Sequence, residues 1–316
     1  MSTDLRDVVF PGHEVMLAGS VAVPEGGGFS AGVVMVGGSG ACDRNNDTHF
    51  PPIRRHLVEA GIAVLSYDKR GVGGSSGEWR DATMDDLAAD AVAAVGFLRA
   101  QPGVQADAVG LLGHSEGGWV VLRAASVRDD VPWVITTGCP AMSPAVQERH
   151  TLADALGRAG TNAQDVDGVL ACFDQLIESG RRDGDFVEAT RLVHSYGEPS
   201  VLTEYWAGVD ERLWEFLKRT QDHDPFPDVL RLPCPYLATF GGADELVSVA
   251  ESIRLLGAAA CDPGRHPRAT LTVEVYPGAD HRVRTNGGTS LADGYLTALT
   301  QWIKDRVDIA SNRIIS

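Results

Sequence analysis

The sequence predicts an alpha/beta fold built on a doubly wound, mostly parallel sheet, and three observations carry that prediction. Short apolar runs alternate with stretches of helical periodicity, glycines cluster directly after the apolar runs, and the alternation breaks over residues 142–224, where only helical stripes remain.

Taken in order, Glu14 to Val23 alternates apolar and polar residues and reads as an opening strand, after which Gly26, Gly27 and Gly28 turn the chain. Ala31 to Val36 is nearly all apolar and ends in Gly37-Gly38-Ser39-Gly40, the pattern of a strand covered on both faces that feeds a tight loop. Ile53 to Ala60 reads as a short helix with Gly61 at the position of a C-terminal cap, and Ile62 to Tyr67 as the next strand. Asp85 to Ala100 keeps a helical spacing through Leu87, Ala91, Val95 and Leu98 until Gln101-Pro102-Gly103 stops it. Ala108 to Leu112 and Trp133 to Thr137 are two further buried strands. Parallel neighbours need long right-handed crossovers, and the helices supply them.

From Met142 to Asp224 one stripe runs through Val166, Val169, Leu170, Phe173, Leu176 and Ile177, and another from Leu202 to Leu217. The strand rhythm resumes at Pro235 to Phe240 and Leu271 to Tyr276, followed by a closing helix over Leu291 to Val307. The simplest organisation is a core formed by residues 1–141 and 226–316, with an inserted helical cap at 142–225.

A length of 316 residues with 44% hydrophobic and 22% charged residues fits an ordinary globular protein able to bury a sizeable core. The net charge of -16 repels phosphate backbones and anionic lipid, so neither nucleic acid nor a membrane surface is an expected partner. Cys42, Cys139, Cys172, Cys234 and Cys261 form no C-x-x-C pair, which argues against a disulfide framework or a zinc site and for reduced, mostly buried thiols. Met1 to Phe10 lacks the basic and apolar regions of a secretory signal, and no run is long enough to span a membrane, so a cytoplasmic protein without a cofactor is expected.

The strongest chemical signal is Gly113-His114-Ser115-Glu116-Gly117, a G-x-S-x-G pentapeptide between the strand Ala108 to Leu112 and the apolar run Trp119 to Ala125. A serine between strand and helix sits on a strained turn that flanking glycines permit. Its hydroxyl is a weak nucleophile until a base takes the proton. His281, in the turn after the last strand, emerges at the same edge of the sheet as Ser115; His266 precedes that strand and belongs to the opposite edge. His114 adjoins the nucleophile but points away as a packed support, and His150, His194 and His223 fall in the cap. Asp244, directly after Pro235 to Phe240, is the acid expected to orient His281, ahead of Glu245 and Asp280, which read as solvated neighbours. The oxyanion formed on attack would take the backbone N–H of Glu116 and one from the Gly38-Ser39-Gly40 turn, that of Ser39.

Five segments carry a resemblance: Val36-Gly37-Gly38-Ser39-Gly40 with Asp43-Arg44-Asn45, Ser66-Tyr67-Asp68-Lys69-Arg70-Gly71-Val72-Gly73-Gly74-Ser75, Gly113 to Gly118, Gly241 to Val247, and Gly278-Ala279-Asp280-His281. Together they resemble the alpha/beta-hydrolase superfamily, and more narrowly bacterial esterases, whose chain order of serine, acid and histidine is the order Ser115, Asp244, His281. The resemblance implies an alpha/beta-hydrolase fold with a helical cap, and hydrolysis of small-molecule carboxylic esters, thioesters or lactones through an acyl-serine. It also implies a histidine at the start of the oxyanion loop, where this chain has Gly37. The Asp68 to Ser75 turn lacks the lysine-serine ending of a P-loop, which leaves Arg70 as a structural anchor.

Gly38, Tyr205, Trp206 and Trp214, with Phe173, are the candidate substrate contacts and suggest an apolar acyl or aromatic group, although a stripe at helical spacing is more often core. An aminopeptidase or amidase would instead use cap carboxylates such as Glu204, Asp210, Glu211 and Glu215 to hold an ammonium; an acyltransferase would replace water with another acceptor. Pattern alone says nothing of oligomeric state.

Overall fold

A computed structural model of the chain describes residues 5–24, 30–197 and 201–314. Eight strands form one sheet in the order β1-β2-β4-β3-β5-β6-β7-β8. β1 (Leu5–Pro11), β2 (Met16–Ala22) and β4 (Ala63–Tyr67) pair antiparallel; from β4 through β3 (Ser30–Val36), β5 (Val104–His114), β6 (Val134–Thr137), β7 (Tyr236–Gly241) and β8 (Leu271–Tyr276) every pairing is parallel.

The uninterrupted apolar runs arise because both faces of these strands are covered. Val34 and Val36 enter one core with α2 (Met84–Arg99), α3 (Glu116–Ser126) and α10 (Val249–Cys261), while Val33 and Met35 enter a second with α1 (Phe50–Glu59) and α11 (Tyr295–Ile314). Each such side chain contributes about 1.5–3 kcal/mol on full burial. α1 accommodates Pro51 and Pro52 in its first turn, where no N–H partner is lost, and Gly61 takes φ +89° after its last residue. At the start of α2, Thr83 and Asp86 cap one another: the Thr83 hydroxyl accepts from the Asp86 N–H at 3.1 Å and the Asp86 carboxylate from the Thr83 N–H at 2.8 Å. Arg70 anchors the turn after β4 by donating to Asp90 at 2.8 Å and to the His13 carbonyl at 3.1 Å.

Several boundaries differ from the sequence pattern. β1 was not expected; it is an edge strand with only Phe10 buried, so it carries no clear alternation. α10 also lacks a marked stripe, since its fully buried positions are Ser252, Leu256 and Ala259. The closing helix begins at Tyr295 rather than Leu291, because β9 (Arg284–Thr285) and β10 (Ser290–Leu291) form a small hairpin there. The turn at Gly26, Gly27 and Gly28 lies outside the described residues.

Between β6 and β7 stand α4 (Pro144–Arg158), α5 (Ala163–Arg181), α6 (Phe186–Ser195), α7 (Val201–Trp206), α8 (Glu211–Thr220) and α9 (Phe226–Arg231). Phe173, Leu176, Val193, Leu202, Trp206 and Trp214 give α4 to α8 a core of their own, whereas α9 packs through Val229 into the main core beside α3 and α10. The insertion covers the carboxyl edge of the parallel strands and forms a cap. The five cysteines are free thiols, four buried and Cys261 exposed. Among the described residues no helix is long and apolar enough to cross a membrane.

Candidate active site

Ser115 lies between β5 and α3 with φ 54° and ψ -124°, a backbone conformation that costs a non-glycine residue about 1–3 kcal/mol. Hydrogen bonds from Ser115 N–H to the Thr137 carbonyl at 2.9 Å and from Gly118 N–H to the Ser115 carbonyl at 2.8 Å hold the turn. Its glycines are required by packing. A Cβ on Gly113 would strike the Gly117 carbonyl, and one on Gly117 would strike the Val36 and Gly37 carbonyls.

Pairing of β7 with β8, with Gly241 opposite Tyr276, sets the two following turns side by side. The Asp244 carboxylate is fully buried there: Oδ1 accepts the N–H groups of Leu246 at 2.8 Å and Val247 at 3.0 Å, and Oδ2 lies 2.8 Å from Nδ1 of His281. An ionised carboxylate can only accept, so this contact puts the imidazole proton on Nδ1 and leaves the Nε2 lone pair free. Gly138, at φ +58°, makes the room: a Cβ on it would stand 3.0 Å from Nδ1 of His281. Asp280 is occupied otherwise, accepting from the N–H groups of Arg282 and Arg284 at 2.9 Å each, and Glu245 is exposed.

Ser115 and His281 both line an outer opening toward the β9–β10 hairpin and an inner chamber beneath the cap. Among the described residues the Ser115 hydroxyl has no hydrogen-bond partner. Gly38 and Ser39 lie beside it; a Cβ on Gly38 would be 3.4 Å from that of Ser115. The N–H groups of Ser39 and Glu116 donate to no protein acceptor among the described residues. That of Glu116 is the first of α3, where the helix dipole favours negative charge. Gly37 has a local reason, since a Cβ would run into the Cys42 thiol, which donates to Asn46 Oδ1 at 3.1 Å.

The inner chamber has a volume of about 430 Å³ and apolar walls, with Trp79 and Trp119 from the core and Tyr205, Leu213, Phe216 and Leu217 from the cap. Trp119 is fixed by its indole N–H, which donates to the Pro140 carbonyl at 2.7 Å. Trp79 meets Phe216 edge-on at 5.1 Å. Glu148 faces this chamber without an ion-pair or hydrogen-bond partner among the described residues, and burial pushes its carboxyl above the usual range.

Of the candidate substrate contacts, Gly38 and Tyr205 stand at these openings. Trp206 and Trp214 do not: both are buried in the cap core, their indole N–H groups donating to Thr190 Oγ1 at 3.0 Å and the Gly184 carbonyl at 2.9 Å. They belong to the cap interior, as does Phe173. The acidic cap residues also point elsewhere. Asp210 caps α8 and pairs with Arg80, Glu215 pairs with Lys218, and Glu204 and Glu211 are exposed.

His114 is buried beside His281, ring centroids 4.9 Å apart, with Nδ1 2.9 Å from the Asn46 amide. His49 packs behind it, the rings tilted by 52° with centroids 4.5 Å apart, and burial drives both imidazoles far down in pKa, that of His49 to about 3. His223 packs against Trp119, and His266 sits in the loop before β8 with its N–H on the Leu230 carbonyl. The sequence analysis did not assign Trp79, Trp119 or Glu148 to the site: Trp119 appears there only as the start of the apolar run after Gly118, and the chamber joins segments distant in the chain.

A family model described as serine aminopeptidase, S33, matches residues 40–286, a span that contains the Ser115 turn, Asp244 and His281. A non-heme haloperoxidase of Rhodococcus erythropolis is 26% identical over 250 residues, covering 75% of this chain and 82% of that protein. DcsB, solved in complex with a substrate analogue, superposes with a TM-score of 0.66 at 17% identity over 96% of this chain and 99% of its own. The Pyrococcus furiosus esterase Pf2001 superposes with a TM-score of 0.61 at 17% identity, covering 96% of this chain and 91% of the other. At these identities the structural likeness is one of fold.

Proposed function

The chain belongs to the serine aminopeptidase S33 family of the alpha/beta-hydrolase superfamily, and from that premise we propose that it hydrolyses small-molecule carboxylic esters through an acyl-serine on Ser115. What supports this most is the set of groups at one rim of the sheet: the Asp244 to His281 hydrogen bond of 2.8 Å, and a histidine and a serine that share the same two openings. The esterase activity of the Pyrococcus furiosus relative in fold agrees with it.

In this mechanism Ser115 Oγ attacks the carbonyl carbon while Nε2 of His281 takes the hydroxyl proton, and Asp244 stabilises the resulting imidazolium. The negative charge that develops on the carbonyl oxygen accepts the N–H groups of Ser39 and Glu116, each such donor being worth about 2.7–4 kcal/mol. Collapse expels the alcohol with the proton from His281. Water, deprotonated by the same imidazole, then releases the acid from Ser115. The core of residues 1–141 and 226–316 supplies this chemistry, and the cap of residues 142–225 supplies an apolar chamber suited to an acyl or aromatic group. Free thiols agree with a reducing compartment such as the cytoplasm.

One observation favours a second reading, an aminopeptidase. Glu148 faces the chamber without a partner among the described residues, and a substrate ammonium there would offset the burial that raises its pKa and satisfy its oxygens. A panel of nitrophenyl esters of increasing acyl length, run beside aminoacyl anilides on the wild type and on Ser115→Ala, separates the two. Ester turnover that falls on the order of 10⁶-fold in Ser115→Ala is the expected result. Preference for anilides selects the second reading, and turnover that persists in Ser115→Ala removes both.

A further inference from the structure

We propose that Lys69 is a positioning residue for the oxyanion hole, tying together the two chain segments that carry its N–H donors. The inference rests on the serine hydrolysis proposed above. Lys69 follows β4 at the carboxyl edge of the sheet, and its ammonium donates to the Gly38 carbonyl at 2.6 Å and to the Glu116 carboxylate at 2.7 Å. The Lys69 and Glu116 side chains are only 9% and 8% exposed. Of the residues on either side of this cation, one belongs to the loop after β3 and the other begins α3.

The choice of partners gives the contact its consequence. The Gly38 carbonyl and the Ser39 N–H are the two ends of one planar trans peptide and point in opposite directions. A cation on the oxygen fixes the rotation of that plane and draws electron density from the nitrogen, which aims the Ser39 N–H and makes it a stronger donor. From the other side, Gly38 N–H is steadied by Asn46 Oδ1 at 3.4 Å. Glu116 is the second donor by its backbone, and its side chain holds the ammonium, so the same ion fixes the separation of the two donors. A charge buried this deeply is a poor device for stability alone, because desolvation cancels much of the attraction. Preorganised donors are where such a cost returns as rate.

The experiment compares the wild type with Lys69→Met, Lys69→Arg and the double variant Lys69→Met with Glu116→Gln, which leaves no unpaired buried charge if the single variant fails to fold. Two readouts are taken on each folded protein: kcat and KM for a nitrophenyl ester, and affinity for an alkyl boronic acid, with the tetrahedral adduct followed by boron NMR. Loss of the tie predicts a fall in kcat of about 10–10²-fold with KM within about twofold, a matching loss of boronic acid affinity, and partial recovery in Lys69→Arg. A folded variant without the lysine that keeps kcat and boronic acid affinity within about threefold of wild type overturns the inference. So does a change confined to KM. Those outcomes leave ester hydrolysis standing; a wild type that neither turns over esters nor forms the tetrahedral adduct overturns both.

Discussion

Nδ1 of His281 lies 2.8 Å from Oδ2 of Asp244, and the other oxygen of that buried carboxylate is filled by the N–H groups of Leu246 and Val247. The carboxylate therefore has one direction left in which to act, and it acts on the imidazole. Asp244→Asn keeps the shape but offers an amide that can donate to Nδ1, favouring the wrong tautomer. The expected result is a loss in kcat of about 10⁴-fold with little change in KM, measured on a nitrophenyl ester. A loss below about tenfold would overturn the proposed role of Asp244.

Gly37 and Cys42 are predicted to be coupled. A Cβ on Gly37 enters the space of the Cys42 thiol, so Gly37→His on its own should destabilise by about 1–3 kcal/mol. Cys42→Gly in the same chain vacates that space and should recover at least half of the loss. Denaturant titrations of the two single variants and the double variant measure the coupling, and additive losses would show that the thiol does not exclude the larger side chain.

Stability should fall in mild acid, with the buried histidines as one cause. His49 is fully buried, both ring nitrogens lack partners among the described residues, and burial lowers its pKa from 6.5 to about 3; His114 is shifted the same way. Between the lowered pKa and 6.5 the unfolded chain binds protons that the folded one refuses. The stabilisation is thus complete above about pH 6.5 and declines as pH drops, by about 1.4 kcal/mol per pH unit for each histidine. His49→Phe keeps an aromatic ring against Phe50 and His114 and removes one of the two groups. Between pH 7 and pH 5 the variant should lose about 2 kcal/mol less than the wild type in urea titrations, and equal losses would assign the acid limb to other groups.

Burial divides the aromatic residues of the cap by role. Trp214 is fully buried against Trp206, so Trp214→Ala should cost about 3–5 kcal/mol and melt the cap before the core. Tyr205 is 39% exposed and faces the chamber, so Tyr205→Ala should leave the melting temperature within a few degrees and raise KM for long acyl esters. Thermal unfolding and steady-state kinetics on the two variants test the division. A KM effect confined to Trp214→Ala would reverse it.

The legible parts of this chain were those whose environment repeats along the backbone. Strands β3 to β8 are covered on both faces or end in glycine turns, so Val33 to Val36 or Tyr236 to Phe240 announce themselves as apolar runs. Ser115, Asp244 and His281 each follow such a run directly, which is why their shared rim could be anticipated. β1 could not, because Arg6 and Asp7 sit on an edge with one buried neighbour, nor could α10, whose buried face is small. The tryptophans at 206 and 214 were legible as buried but not as to what buries them, since helical spacing sets a face and not its partner. Lys69 and Glu116 meet across 47 positions of sequence, a pairing that only the sheet order brings about.

The cap departs after β6 and returns to β7, and those two strands are neighbours in register, Thr137 beside Thr239. Its chain leaves β6 at Thr137, on the carboxyl edge, and re-enters β7 at Tyr236, which pairs with Val134 toward the opposite edge. An excursion between two strands whose register is fixed by their own pairing can be lengthened or trimmed without moving that pairing, and doubling the length of a flexible connection adds only about 0.6 kcal/mol of closure entropy. Chamber shape can therefore be changed apart from the sheet edge that holds Ser115 and His281, and grafting a foreign helical segment in place of residues 142–225 is the natural route to a new specificity, since it spares Gly138, Pro140 and α9.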